Sequence, residues 1–282
     1  MKRYIHSGRK PFKPSVDTII YSGVSIDTES KLPVFNFYRD NDTDVISLKS
    51  DCSGEYDSDN VKYVYAYEYN NRSNPSHRKI FRDYLKGNIV ENVWFEEDVE
   101  EFVENAVMKL DNYVSLSEIG CVVEVESTRH PSLIDVMRGY LMDTIGRRRT
   151  CVTDISLVKA TYRDVKFDEA KARIALAEAG LSADKIDHEI AFTVKKFESL
   201  KRSGELFQMK RFTPVAIREA FTDYLKFAND EQRKVYMSLQ GTNVLIYDDF
   251  ITSGSTVREI VRLLRSIHDK NTLTVFILVK QH

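Results

Sequence analysis

Hydrophobic residues along the second half of the chain alternate between helical spacing and short continuous runs. Apolar positions recur every three to four residues over residues 97–114, 132–145 and 257–267, which predicts three amphipathic helices. Apolar runs of strand length cover residues 121–125, 151–158, 243–247 and 273–279. Strands separated by helices are typical of parallel crossover units. The pattern predicts an α/β fold with a central, mostly parallel sheet flanked by helices.

A long stretch with helical periodicity interrupts this alternation. Residues 169–179, 183–201 and 214–239 each have apolar positions at helical spacing, with glycine-containing breaks between the first two segments and after the second. We therefore expect a helical insertion at about residues 168–241, between two strands of the sheet.

The N-terminal third has a weaker pattern. Short apolar alternations before residue 40 predict irregular β structure. Residues 61–69 are dense in β-branched and aromatic side chains and predict a strand, and residues 77–86 have helical spacing. We divide the chain into an N-terminal α+β region, residues 1–95, which could form a hood, and an α/β core, residues 96–282.

Composition and charge narrow the class of protein. The chain has 41 basic and 43 acidic residues, so its charge does not favour a nucleic-acid partner. No apolar run approaches the roughly 18 residues of a membrane span, and no secretory signal is apparent. The three cysteines form no CxxC pair and favour a reducing compartment. We expect a soluble cytoplasmic protein with no nucleic-acid or membrane partner.

The most informative segment is VLIYDDFITSGST, which begins at Val244. Its apolar start predicts a central strand buried on both faces. Asp248 and Asp249 then fall at the carboxyl end of that strand, where open α/β sheets bind ligands. Gly254 lets the backbone turn its N–H groups inward just before a helix, whose N-terminus adds partial positive charge. Together these features predict an anion site suited to a phosphate.

Two details refine this interpretation. Thr256 and Glu259 have the spacing of a capping box, which predicts where the helix begins. The chain has neither the G-x-x-x-x-G-K-[ST] loop of many nucleotide-binding proteins nor the G-x-G-x-x-G dinucleotide fingerprint. The predicted phosphate site therefore belongs to a different class.

The segment resembles the phosphoribosyl pyrophosphate (PRPP) motif of the type I phosphoribosyltransferases, in which an apolar strand precedes two acids, two apolar residues and a Thr/Ser/Gly loop. The resemblance implies a type I phosphoribosyltransferase-like fold. It also implies catalytic roles for Asp248 and Asp249, which would hold the ribose hydroxyls of PRPP. The residues implied to bind the ribose 5-phosphate are Thr252, Ser253, Gly254, Ser255 and Thr256.

A second, weaker match lies upstream, where the family binds pyrophosphate in a loop after an earlier strand. The strand at residues 121–125 is followed by a short turn and a helix, which is the expected order. The resemblance implies pyrophosphate contacts from Ser127, Thr128, Arg129 and His130, and from Lys159 at the end of the next strand. A solvated surface lysine is the alternative interpretation of Lys159.

The implied activity is transfer of the 5-phosphoribosyl group from PRPP to a nitrogenous base or other acceptor, with release of pyrophosphate. Mg²⁺ is the implied cofactor, carried by PRPP with no direct protein ligand, and a homodimer is expected. Thr252 stands where the 6-oxopurine enzymes of the family have an aspartate, which argues against hypoxanthine or guanine as acceptor.

Two other functions fit the same segment. A non-catalytic regulatory protein that binds PRPP or a nucleotide would keep the pocket without turnover. A PRPP synthetase-like pyrophosphokinase carries a similar motif, but those chains continue well beyond it and have a recognisable ATP site. The phosphoribosyltransferase is therefore the leading hypothesis.

Overall fold

A computed structural model describes residues 21–37, 45–48, 55–56, 61–69, 73–91, 93–127, 131–148, 151–251 and 254–280. Within these ranges the N-terminal elements are β1 (Tyr21–Ile26), β2 (Pro33–Phe37), β3 (Ile46–Leu48), β4 (Glu55–Tyr56), β5 (Lys62–Tyr69) and α1 (Pro75–Leu85). The core continues with α2 (Glu97–Leu110), β6 (Ile119–Val125), α3 (Leu133–Gly146) and β7 (Thr153–Lys159). The remaining elements are β8 (Lys166–Phe167), α4 (Glu169–Glu178), α5 (Ala183–Lys201), β9 (Phe221–Thr222), β10 (Leu225–Phe227), α6 (Asp230–Met237), β11 (Asn243–Ile251), α7 (Ser255–Arg265) and β12 (Thr272–Lys280).

Ten of the described strands form one large sheet with the order β10-β7-β6-β11-β12-β5-β3-β1-β2, in which β4 also pairs with β5. Strands β8 and β9 pair antiparallel in a separate two-stranded sheet. The neighbours from β7 to β5 are all parallel, whereas β10, β3, β1 and β2 join through antiparallel pairs. Helices cover the parallel strands. The predicted fold class, an α/β fold with a central, mostly parallel sheet flanked by helices, is confirmed.

Strand β11 lies between β6 and β12 and is buried on both faces. Val244 and Ile246 belong to one core cluster, which includes residues of α7 and of the inserted segment. Leu245 and Tyr247 belong to another, which includes residues of α1, α2 and α3. All four side chains are at most 1% exposed. Burial on both faces explains why the strand has a continuous apolar sequence. Burying one such side chain contributes about 1.5–3 kcal/mol to the stability of the fold.

The N-terminal region contributes to the central sheet. Strand β5 pairs in parallel with β12 over six residue pairs, from Lys62 with Thr274 to Glu68 with Lys280. Helix α1 packs into the same core cluster as α2 and α3. The division at residue 95 is therefore incomplete as a description of the fold, because the sheet and one core cluster extend across it.

The insertion is less helical than its sequence pattern predicts. Helices α4 and α5 match the expectation, but residues 214–239 do not form one helix. They contain a 3₁₀ turn at Val215–Ala220, the short strands β9 and β10, and helix α6. Strand β10 pairs antiparallel with β7 at the edge of the main sheet. The apolar spacing in this segment is compatible with a helix, but its aromatic side chains pack against each other in a different arrangement. The ring centroids of Phe212 and Phe221, for example, are 4.4 Å apart.

Candidate phosphate- and ribose-binding site

The predicted site residues gather at the carboxyl edge of the parallel strands. Asp248 and Asp249 lie in the last four residues of β11, and Lys159 ends β7. Strand β6, which lies between β7 and β11, ends at Val125, two residues before Ser127. Carboxyl ends of parallel strands meet at one edge of a sheet, which is where open α/β folds bind ligands. The structure therefore brings the two parts of the predicted site to the same edge.

The two carboxylates are held by the backbone that follows each of them. Asp248 Oδ1 accepts a hydrogen bond from Asp249 N at 2.9 Å, and Asp249 Oδ1 accepts one from Phe250 N at 2.7 Å. Burial raises the pKa of Asp248 from its ordinary 3.8 to about 8, and the neighbouring Asp249 carboxylate adds to the effect. These surroundings therefore favour the protonated form of Asp248, and a bound ligand or cation that brings positive charge would favour the ionised form.

Lys86, which the sequence analysis did not single out, reaches the motif from the end of α1. Its Nζ lies 3.5 Å from Asp249 Oδ2 and 5.4 Å from the centroid of the Phe250 ring. The helix sequence, ending in Lys-Gly, predicts a helix stop but gives no indication of the contact. The ion pair forms because α1 packs beside the end of β11.

A Schellman motif fixes the position of Lys86. Gly87 N donates to Tyr84 O, and Asn88 N donates to Asp83 O, both at 2.8 Å. Gly87 has a φ of +63°, in the left-handed region that favours glycine. A β-carbon at this position would lie 2.6 Å from two ring carbons of Trp94, so the close approach of the indole also requires glycine.

Lys159 interacts electrostatically with both carboxylates and with two other lysines. Burial lowers the pKa of Lys159, the positive charges of Lys86 and Lys210 lower it further, and Asp248 and Asp249 act in the opposite direction. Lys210 comes from the insertion and Lys86 from the N-terminal region. Lysines from two separate parts of the chain, Lys86 and Lys159, therefore interact with the acids, and Lys210 acts on Lys159. Only Lys159 could be anticipated from the sequence, because it directly ends a predicted strand.

The phosphate-loop helix begins differently from the capping-box prediction. Gly254, with a φ of 69° and a ψ of 4°, is the N-cap of α7, and Ser255 and Thr256 are its half-buried first residues. The prediction that Thr256 caps the helix is wrong. Glu259 instead accepts hydrogen bonds from Tyr224 N and from Arg262. Thr252 and Ser253 lie outside the described residues, and their roles stay predictions.

The predicted pyrophosphate loop follows β6 and leads into α3. Ser127 is half-buried, and Ser132 caps α3 by accepting a hydrogen bond from Asp135 N. Ser132 Oγ also donates to Asp135 Oδ2 at 2.8 Å, so an acid lies in the first turn of this helix. Thr128, Arg129 and His130 lie outside the described residues. The order of a strand followed by a helix is confirmed, while the contacts of these residues with pyrophosphate stay predictions.

A buried polar network connects the two strands that carry the predicted subsites. Tyr247 Oη, on β11, donates to Glu124 Oε2 on β6. Arg138 Nε lies 3.8 Å from Glu124 Oε1 and donates to Asp154 Oδ2 at 2.8 Å. Burial raises the pKa of Glu124, and the Tyr247 hydroxyl partly offsets that rise. In the sequence, the one indication of this network is a glutamate inside an apolar strand.

No group of three or more His, Cys, Asp or Glu side chains in the described part of the chain could hold a metal ion. Carboxylates are suitable Mg²⁺ ligands, so Asp248 and Asp249 fit an ion that arrives on a phosphorylated substrate.

No helix in the described ranges is long and apolar enough to cross a membrane.

Comparisons with known proteins found similarity among solved structures alone. No protein-family model and no curated protein matches the chain. A hypothetical protein from Neisseria gonorrhoeae with bound ppGpp has 12% identity and a TM-score of 0.29, over 65% of this chain and 66% of that one. A hypoxanthine phosphoribosyltransferase from Staphylococcus aureus has 13% identity and a TM-score of 0.28, over 64% and 62% of the two chains.

A second crystal form of the Staphylococcus aureus enzyme gives a TM-score of 0.27 at the same identity and coverage. The chain thus spans less than two thirds of the length of these structures. TM-scores this low describe a partial overlap of backbones, so the ligands and substrates of these proteins are not assigned to this chain.

Proposed function

We propose that the chain is a phosphoribosyltransferase that moves the 5-phosphoribosyl group from PRPP to a nitrogenous base or another acceptor and releases pyrophosphate. The observation that carries the proposal is the sequence of features along β11 and α7. Two acids lie in the last four residues of a central parallel strand. Gly254, in a left-handed conformation, then caps a helix whose first residues carry hydroxyls. An acid pair suits a sugar diol, and a helix N-terminus suits a phosphate.

Each part of the site has a proposed role. Asp248 and Asp249 hold the ribose hydroxyls, and the 5-phosphate binds at the loop and first turn formed by Thr252, Ser253, Gly254, Ser255 and Thr256. The pyrophosphate group binds at the loop after β6, through Ser127, Thr128, Arg129 and His130, with Lys159 as its cation. Support for Lys159 comes from its electrostatic coupling to both acids.

The proposed reaction depends on positioning and charge. The acceptor nitrogen attacks C1 of the ribose while the bond to pyrophosphate breaks, and positive charge develops on the ribose ring in the transition state. Fixed carboxylates beside the ribose can stabilise that charge, and lysines can stabilise the leaving diphosphate. Mg²⁺ is proposed to arrive on PRPP as its counter-ion. Thr252, in place of an acid, favours an acceptor other than hypoxanthine or guanine.

The acid pair provides the first test. Asp248→Asn and Asp249→Asn should each weaken PRPP binding by roughly 10- to 100-fold, because each removes hydrogen bonds between a charged group and the ribose. Binding should be measured by calorimetry with magnesium, and pyrophosphate release with a panel of purine and pyrimidine bases. Asp187→Asn, in an exposed ion pair with Arg173, is the matched control and should behave as wild type.

The outcomes separate the three hypotheses. Unchanged PRPP binding in both variants would contradict the proposed site. PRPP binding by the wild type without base-dependent pyrophosphate release would identify a non-catalytic binding protein. ATP-dependent consumption of ribose 5-phosphate would identify a PRPP synthetase-like pyrophosphokinase.

A further inference from the structure

The phosphate-loop helix α7 is held along one face by the turn between β9 and β10. Tyr224 Oη donates to Ser255 O at 2.5 Å, and Tyr224 N donates to Glu259 Oε1 at 3.2 Å. Ser255 and Glu259 are one helical turn apart, so a single residue contacts both ends of the first turn. Tyr224 is 4% exposed and Glu259 is 3% exposed, so water does not compete for these hydrogen bonds.

Charged contacts extend this attachment along the helix. Arg258 Nη2 donates to Glu219 Oε1 at 2.7 Å. Arg262 donates to Glu259 Oε2 at 2.7 Å and also contacts Asp223. The segment from Glu219 to Tyr224, here called the bracing turn, therefore contacts three successive turns of α7.

The geometry of the bracing turn is itself constrained. Asp223 has a φ of 61°, a left-handed conformation that is unfavourable for most residues other than glycine, although Asp and Asn tolerate it best. A hydrogen bond from Lys166 lowers the pKa of Asp223, and Arg262 also lowers it. Lys166 Nζ lies 2.8 Å from Asp223 Oδ2. Cations from both sides of the turn therefore stabilise this backbone conformation.

Tyr224 also connects α7 to β7, the strand that ends at Lys159. Ala160 N donates to Tyr224 O at 2.9 Å, and Leu225 pairs with Lys159 in the sheet. Three polar groups of Tyr224 each have a different partner. The N–H donates to Glu259, the hydroxyl donates to Ser255 O, and the carbonyl accepts from Ala160 N. Tyr224 thus fixes the first turn of α7 relative to the end of β7.

We propose that Tyr224 is a positioning residue for the 5-phosphate subsite, through which the insertion sets the orientation of the first turn of α7. The inference rests on the proposed function and deepens it, because it assigns the β9–β10 part of the insertion to the phosphate site. Ser255 and Thr256 can bind a phosphate only where the first turn places their N–H groups and hydroxyls, and Tyr224 determines that place.

Tyr224→Phe tests the hydroxyl alone, because the ring packing and both backbone hydrogen bonds remain. Ribose 5-phosphate should bind roughly fivefold more weakly, the loss expected for one hydrogen bond, while magnesium pyrophosphate, which occupies the other subsite, should bind as in wild type. Amide hydrogen exchange over residues 258–261, whose N–H groups donate to the carbonyls of residues 254–257, should be several times faster. Tyr162→Phe is the matched control, since Tyr162 is fully buried and its hydroxyl accepts from Gln208 N, away from α7.

A second variant distinguishes a loss of positioning from misfolding of Tyr224→Phe. Asp223→Asn keeps a residue that tolerates the left-handed turn but weakens its ion pairs with Lys166 and Arg262. Its effects on ribose 5-phosphate binding and on exchange should be smaller and in the same direction. If affinities for ribose 5-phosphate and pyrophosphate fall equally in Tyr224→Phe, or if its exchange over residues 258–261 equals that of Tyr162→Phe, the positioning role is wrong.

The same measurements distinguish this inference from the proposed function. A wild-type chain that binds neither PRPP nor ribose 5-phosphate would overturn the proposed function. Faster exchange of the first turn in Tyr224→Phe would still establish the structural attachment in that case, and inorganic phosphate would then be the probe for whether the turn binds an anion.

Discussion

At the scale of single residues, the important property of the site is the high pKa of one carboxyl group. Asp248 is half-buried and adjacent to a second acid, and its burial and that neighbour together raise its pKa to about 8. A ligand that brings positive charge, or that donates hydroxyls to Asp248, favours the ionised form. Asp248 is thus suited to a substrate that arrives with its own cation.

The raised pKa of Asp248 predicts a pH dependence of stability. The folded chain keeps a proton on Asp248 that the unfolded chain loses, since the pKa is about 8 in the folded state and 3.8 ordinarily. The free energy of unfolding should therefore contain a term that is fully present below about pH 4 and is lost as pH rises towards about pH 8. Asp248→Asn should remove this term.

Urea denaturation of both proteins across that pH range provides the measurement. The stability of Asp248→Asn relative to wild type should increase as pH rises. Titration of groups that do not interact with Asp248 is common to the two proteins and cancels in the difference, whereas Asp249, Lys86 and Lys159 contribute to the difference together with Asp248. Parallel stability profiles would show that Asp248 titrates in its ordinary range.

At the scale of elements, the end of α1 determines where Lys86 lies. The helix ends in a Schellman motif at Gly87, and Trp94 packs directly against that glycine. Trp94 Nε1 donates to Leu85 O at 2.8 Å, which fixes the indole at the helix end. The Lys86–Asp249 ion pair is partly exposed and contributes at most about 1 kcal/mol to stability. Local backbone structure, more than this ion pair, therefore holds Lys86 beside the acids.

Two glycine substitutions separate backbone strain from steric overlap. Gly204 has a φ of +68° with nothing within 4 Å of an added β-carbon, so Gly204→Ala should destabilise by about 1–2 kcal/mol through strain alone. Gly87→Ala has the same strain and an overlap with Trp94 at 2.6 Å. It should destabilise by about 2–5 kcal/mol. Equal losses in urea denaturation would mean that Trp94 moves aside freely.

At the scale of the whole molecule, one polar network connects the strands of the two predicted subsites. Tyr247 on β11 and Glu124 on β6 are buried, at 1% and 6% exposure. Their hydrogen bond joins neighbouring strands across the centre of the sheet, and Arg138 joins the network from α3. Because buried polar groups require partners, this network favours one relative placement of the strands.

Removal of the Tyr247 hydroxyl tests how much the network contributes to the free energy of unfolding. Tyr247→Phe leaves a buried carboxyl group without its shortest hydrogen bond and should destabilise by about 1–3 kcal/mol. Tyr67→Phe is the control, since the Tyr67 hydroxyl is also buried but donates to a backbone carbonyl, Phe102 O, at 3.2 Å. Its loss should be about 1 kcal/mol. Urea denaturation that ranks the two variants in the opposite order would contradict this account.

The sequence by itself determined the features that depend on neighbouring residues. The alternation of strands and helices from β6 onwards, the buried character of β11 and the placement of Asp248 and Asp249 near its end follow from local periodicity and from adjacent turn residues. Prediction was poorer where the same spacing suits two structures. Residues 214–239 have helical spacing, yet β10 forms there because it can pair with β7 and bury its aromatic neighbours.

Only the tertiary structure decided which distant residues meet. Lys86, Lys210 and Tyr224 come from segments whose local patterns predict a helix end, a loop and a helix, and none of those patterns specifies a partner. The Lys86–Asp249 ion pair, the electrostatic effect of Lys210 on Lys159 and the Tyr224–Ser255 hydrogen bond arise because packing of the whole sheet brings those segments to its carboxyl edge. Contacts between residues far apart in sequence depend on the complete set of packed elements, so a local sequence pattern does not encode them.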